Sequence, residues 1–129
     1  MATIKSFEDI EAWQRARMLS KDIFELTIMG SFAKDFSLRD QINKASGSIM
    51  DNIAEGFERG GTKEFIQFLS IAKGSAGEVR SQLYRALDRK HLEENQHSHL
   101  MEQIKAISKM ITGFIAYLRA SNIKGIKFQ

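Results

Sequence analysis

Apolar residues recur along this chain every three or four positions, the spacing of one face of an α-helix. Ile10, Trp13, Ala16, Leu19, Ile23 and Leu26 form the first such series. Ser6 and Asp9 precede it with the spacing of a capping box, so a first helix is expected over about 7–28. Gly30 and Ser31 break the phase, and Met29 to Phe36 reads as a packed loop holding Phe32 and Phe36. Ser37 and Asp40 make a second capping box. Beyond it, Leu38, Ile42, Ala45, Ile49, Asn52 and Gly56 advance in steps of four and three, predicting a helix over 37–59. Gly60 and Gly61 end it, and Thr62 with Glu64 supplies a cap and a favourable charge for a third helix. Phe65, Leu69, Ala72, Ala76, Val79, Leu83 and Ala86 carry that helix over 62–89. After a polar stretch from Lys90 to Gln96, Leu100, Ile104, Ile107, Ile111, Phe114 and Leu118 predict a fourth over 96–120, ended by Ser121, Asn122 and Gly125. No segment has the period of a strand. The expected class is all-α: an antiparallel up-down-up-down four-helix bundle forming one domain over 1–129.

The seams of the middle helices are unusually small and polar. Ser48, Asn52, Glu55 and Arg59 share one face of the second helix, and Gly74, Ser75, Gly77 and Glu78 crowd the third. A glycine inside a helix costs about 1 kcal/mol relative to alanine, and a buried carboxylate needs a partner. Two readings account for the stretch. In one, the glycines and alanines let the two helices pack closely while Ser48, Asn52, Glu55, Arg59 and Glu78 form a structural polar network that fixes register. In the other, it is a recognition or metal site. Phe24, Phe57, Phe68, Ile71, Leu87, Met101, Met110 and Ile115 also lie off the main apolar stripes. They suggest a second buried face against another subunit, or a wide single core.

Composition narrows the compartment and the chemistry. The 129 residues include no cysteine and no proline, which excludes disulfides and cysteine zinc sites and suits a reducing cytoplasm. Neither a secretory leader nor a membrane-length apolar run is present in the sequence, so a cytoplasmic location without membrane contact is expected. Net charge is +3, but residues 1–61 carry eight basic and ten acidic side chains while residues 62–129 carry eleven and six. The excess in the second half makes Arg80, Arg85, Arg89, Lys90, Lys105, Lys109 and Arg119 candidate contacts for RNA or DNA phosphates. A solvated, ion-paired helix face is their alternative. Glu94 and His97 make half of a di-iron pattern, which needs two such pairs and two further carboxylates, so no metal or cofactor is expected. His91, His97 and His99 read as surface residues of a polar loop. Nothing places Ser48 or Ser75 near a base, no phosphate loop follows a strand, and no catalytic set emerges.

The run from Gln41 to Arg59, QINKASGSIMDNIAEGFER, continues into Lys63, Glu64, Phe65, Phe68, Leu69, Ala72, Gly74, Ser75 and Glu78. With Phe7, Ile10 and Trp13, it resembles the four-helix-bundle family named for reading frames in intervening sequences of 23S ribosomal RNA genes. The resemblance spans nearly the whole chain. It implies a bundle that assembles into a ring-like homopentamer, and kinship with the accessory variability determinant of diversity-generating retroelements, a basic nucleic-acid-binding partner of a reverse transcriptase. Five copies would carry +15. The expected function is therefore a non-catalytic, self-assembling adaptor for RNA or DNA. The alternative is a structural module that presents its ring to a protein partner.

Overall fold

The computed structural model describes residues 4–123, with side chains through Ser121. Four α-helices follow one another, and no strand occurs among the described residues. Ser6 and Asp9 do pair: Asp9 Oδ2 accepts from the backbone N–H groups of Lys5 at 2.9 Å and Ser6 at 3.1 Å. What they close is a single 3-10 turn, Phe7–Asp9, rather than the first helix. Ile10 then adopts extended backbone and is only 3% exposed, so α1 (Glu11–Thr27) starts four residues later than the capping box suggests.

The segment between the first two helices is ordered by a second 3-10 turn, Gly30–Lys34, which buries Phe32. Phe36 is not part of that packing; it opens α2 (Phe36–Glu58) and stands exposed. The cap of α2 is Asp35, whose Oδ1 accepts from the Leu38 N–H at 3.4 Å. Ser37 and Asp40, the expected capping pair, lie inside the helix. They are displaced because an acidic side chain two residues before Ser37 already faces the orphan N–H groups.

α2 gives way to α3 (Thr62–Asp88) through Arg59, Gly60 and Gly61. Gly60 has φ +82°, a left-handed conformation open to glycine at little cost, and Gly61 rather than Thr62 occupies the cap position. At the far end of α3, Lys90 takes the same left-handed region at φ +62°. Its N–H reaches the Leu87 carbonyl and the His91 N–H reaches the Ala86 carbonyl, both at 2.9 Å. These are the two bonds of a Schellman cap, made with a lysine where glycine is the usual residue. α4 (Glu94–Ile123) begins two residues before the expected start and continues three beyond the expected end; Gly125 lies outside the described residues.

A single apolar cluster runs through the centre, drawing Leu19, Ile23, Ile42, Ile49, Ile53, Phe65, Leu69, Leu83, Ile104 and Ile107 into full burial. The most extensive packing joins α2 to α3, followed by α3 to α4 and α1 to α2. Contacts set the register. Across α2 and α3, Gln41 meets Arg85, Ser48 meets Ser75, and Phe57 meets Phe65, so numbers rise on one helix as they fall on the other. Across α3 and α4, Tyr84 meets His97 and Phe65 meets Phe114. Met101 and Ile115 are buried in this cluster, and Phe57 and Met110 pack against it, as a wide core requires. Phe24 and Ile71 remain more than half exposed.

At Gly56, α2 and α3 pack too closely for a side chain. A Cβ there would stand 2.6 Å from the Phe68 Cβ and 2.9 Å from Phe65 Cδ1. Gly74 and Gly77 do not perform the packing expected of them. Both face outward with nothing within 4 Å of where a Cβ would sit, because the heptad phase of α3 turns Ser75 and Ala76, not the glycines, toward its neighbours.

Candidate nucleic-acid interface and the polar seam

The seven cations picked out in the sequence divide by helical phase. Arg85 and Arg89 lie on the side of α3 that faces the start of α2. Arg85 Nη1 donates to Gln41 Oε1 at 3.1 Å, and Arg89 Nη1 pairs with Asp35 Oδ2 at 2.8 Å. Both are already engaged within the chain. Lys90 forms the left-handed cap of α3 and sits at the corner of the molecule.

The other four gather along the opposite edge. Lys73, Arg80 and Tyr84 follow one another on α3 at intervals of seven and four, and Tyr84 marks that edge as the one next to α4 through its ring contact with His97. Counting along α4 from His97 places Lys105 at a level between Arg80 and Lys73, with Lys109 one turn further and Arg119 toward the end. All five are exposed, and none forms an ion pair among the described residues. Lys73 is the member that the sequence reading passed over. Its signal was the seven-residue step to Arg80, which becomes informative only when the neighbouring edge of α4 is known to be basic.

The polar ladder of α2 splits in two. Its inner half is connected: Ser48 and Ser75 hydroxyls lie 2.9 Å apart across α2 and α3, and Asn52 Nδ2 donates to the Ser48 carbonyl at 2.8 Å and to its Oγ at 2.9 Å. Its outer half faces solvent. Glu55 and Arg59 form an exposed i,i+4 ion pair at 2.7 Å, with the guanidinium also over the Phe68 ring. Glu78 is exposed too, and accepts no hydrogen bond from Ser48, Asn52 or Arg59. Buried acidic groups are therefore not what fixes the register here; neutral hydroxyl and amide groups bridge the helices, at far smaller desolvation cost.

Two histidines are inside rather than on a loop surface. His97 is 8% exposed, packed beside Tyr84. His91 lies at the corner where the connection between α3 and α4 meets the one between α1 and α2. Its ring stacks on Phe32 with centroids 5.0 Å apart, its Nε2 donates to Asp35 Oδ2 at 2.9 Å, and its Nδ1 lies 2.8 Å from Ser31 Oγ. Because a carboxylate only accepts, Nε2 carries a proton, and in the neutral ring Nδ1 accepts from the serine. Hydrogen bonds from His91 and Arg89 hold the Asp35 carboxyl down to about 2. The three residue types are those of a serine hydrolase, but Asp35 is shared with Arg89 and with the Leu38 N–H, so its charge is spent on holding the corner. Sequence spacing gave no hint of this, since Ser31 and His91 are sixty positions apart. Among the described residues no group of three or more His, Cys, Asp or Glu converges as metal ligands, and no helix is long and apolar enough to cross a membrane.

Comparison with known proteins adds a family and a fold. The family described as 23S rRNA-intervening sequence protein matches residues 8–113. No curated protein matches the chain. Among solved structures, a protein of unknown function from the S23 ribosomal protein family of Bacteroides thetaiotaomicron superposes with a TM-score of 0.76. The match covers 81% of this chain and 95% of that one at 21% identity, a likeness of fold.

Proposed function

The chain belongs to the 23S rRNA-intervening sequence protein family, and from that premise we propose that it is a non-catalytic, self-assembling adaptor that binds RNA or DNA through the basic edge shared by α3 and α4. The observation that carries this reading is the alignment of Lys73, Arg80, Lys105 and Lys109 on one exposed edge, with no acid pairing to any of them among the described residues. Cations on a merely solvated helix face are usually interleaved with acids, as Arg15 is with Glu11 on α1. A mostly basic edge on a helix pair suits the phosphate backbone, whose contacts position a protein without reading sequence, and this favours an adaptor.

In this reading the helices form an antiparallel up-down-up-down bundle of one domain, and several copies, five by family resemblance, close into a ring in the cytoplasm. Outward-facing Gly74 and Gly77 support assembly, since each costs helix stability that nothing within the chain recovers. So do Phe24, Ile28, Met29 and Phe36, all more than half exposed. Those same surfaces favour the second reading, a ring that presents itself to a protein.

Salt separates the two. Fluorescence anisotropy with a structured RNA and a DNA duplex should give an affinity whose logarithm falls with the logarithm of salt concentration, by about 0.9 per phosphate neutralised. Absence of binding at low salt would remove the nucleic-acid reading and leave the protein-interaction module. Light scattering after gel filtration reports the assembly, and a stable monomer at micromolar protein would contradict it.

A further inference from the structure

Among the exposed aromatic side chains, Phe24 lies on α1, Phe36 opens α2 and Tyr117 lines a groove with the first turn of α1. Tyr84 stands instead on the basic edge, half exposed and one helical turn beyond Arg80. One side of its ring rests on His97, with centroids 5.0 Å apart and planes tilted by 56°. His97 is itself only 8% exposed, so a fixed neighbour braces the ring while its outward half stays open to solvent.

A ring held in this way loses little freedom when a second flat group stacks on it, so little of the binding energy is lost to ordering. Every nucleobase offers such a face once it is free of a duplex. The cations supply the other half of the recognition. Arg80 lies about 6 Å from Tyr84 along the helix axis, Lys73 lies about 10 Å further, and Lys105 reaches a level between those two from α4. A strand laid along this line has phosphates at the cations and a base at the ring, whereas a duplex keeps its bases inside and offers phosphates alone.

We propose that the basic edge takes single-stranded nucleic acid, free or as the unpaired loop of a folded RNA, and that one base stacks on Tyr84. This rests on the nucleic-acid reading above and narrows its ligand from any phosphate backbone to one with unpaired bases. Stacking tolerates every base, so the site stays indifferent to sequence, as an adaptor requires.

Anisotropy titrations of the full chain at low salt test this with three probes of equal length: an oligouridine strand, the same backbone without bases, and an RNA duplex. The strand should bind at least about fivefold more tightly than the baseless backbone, and Tyr84→Leu should remove that advantage while leaving the other two probes unchanged. Tyr84→Phe keeps the ring and should bind the strand as the native protein does. Leucine keeps an apolar side chain against His97, and thermal melting reports whether the fold survives. A second readout needs no variant: in NMR spectra of the native protein, the Tyr84 ring protons should shift upfield on adding the strand but not the baseless backbone. Equal affinity for those two probes, an unmoved Tyr84 ring, or an equal loss on all three probes in a folded Tyr84→Leu overturns the stacking proposal and leaves the phosphate reading standing. Absence of binding to every probe removes both.

Discussion

Lys90 closes α3 in a left-handed conformation at φ +62° that disfavours any residue with a Cβ. Both Schellman bonds depend on that conformation, so it is kept despite the strain. Lys90→Gly should stabilise the protein by about 1 kcal/mol, read from thermal or chemical unfolding. Asp35 is the other residue whose individual role is large, since it caps α2 and receives Arg89 and His91 from the end of α3 and the connection that follows it. Its carboxyl is depressed from 3.8 to about 2, so its contribution is fully present above pH 4 and is lost as pH falls through 2. Unfolding midpoints of the native protein and of Asp35→Asn should therefore differ at pH 5 and converge as pH approaches 2. A difference that persisted unchanged at pH 2 would show that the carboxylate is not responsible. The sequence displayed Asp35, His91 and Arg89 plainly but could not show them together, because the contact joins two connections more than fifty residues apart.

Glycines on α2 and α3 look alike in sequence and play opposite parts in the helices. At Gly56 an added methyl group meets the Cβ of Phe68 and the ring of Phe65, so Gly56→Ala should cost about 1–3 kcal/mol. At Gly74 the same change meets nothing, and Gly74→Ala should stabilise the unassembled chain by about 1 kcal/mol through helix propensity alone. Denaturant titrations of both variants under dilute conditions decide this, the opposite signs being the expected outcome. Asn52 belongs to this scale too, because its amide donates to Ser48 at two atoms and steadies the hydroxyl that reaches Ser75 on α3. Asn52→Ala should cost about 1 kcal/mol, less than the removal of a buried charge partner would. Helix existence was legible from the apolar steps. Helix starts were less so: Ser6 and Asp9 cap a turn, and Asp35 outcompetes Ser37, choices made by what lies across the molecule.

For the whole molecule, the division of cations between two edges of α3 is the decisive feature. Arg85 and Arg89 serve α2 and the corner, while Arg80, Lys105 and their neighbours face solvent along α4. Arg80→Glu combined with Lys105→Glu should weaken binding to structured RNA strongly and make it less salt-sensitive, whereas Arg85→Glu should leave most of it. Anisotropy across a salt series checks this, and the double variant should flatten the slope by about 2. Equal losses from all three changes would point to net charge rather than to a located face.

Periodicity by itself determined the all-α class, the four helices and most of the core, because burial of a 3.6-residue stripe is a local property written into each helix. The residues that carry the family likeness were likewise visible in the sequence. Only the tertiary structure decided which side each off-stripe residue faces: that Gly56 packs while Gly74 and Gly77 do not, that Glu78 is exposed beside a cleft, and that Lys73 joins Arg80 and Lys105. Those outcomes depend on the rotation of one helix against the next. That rotation is fixed by contacts such as Ser48 with Ser75 and Tyr84 with His97, which link positions that no local pattern connects.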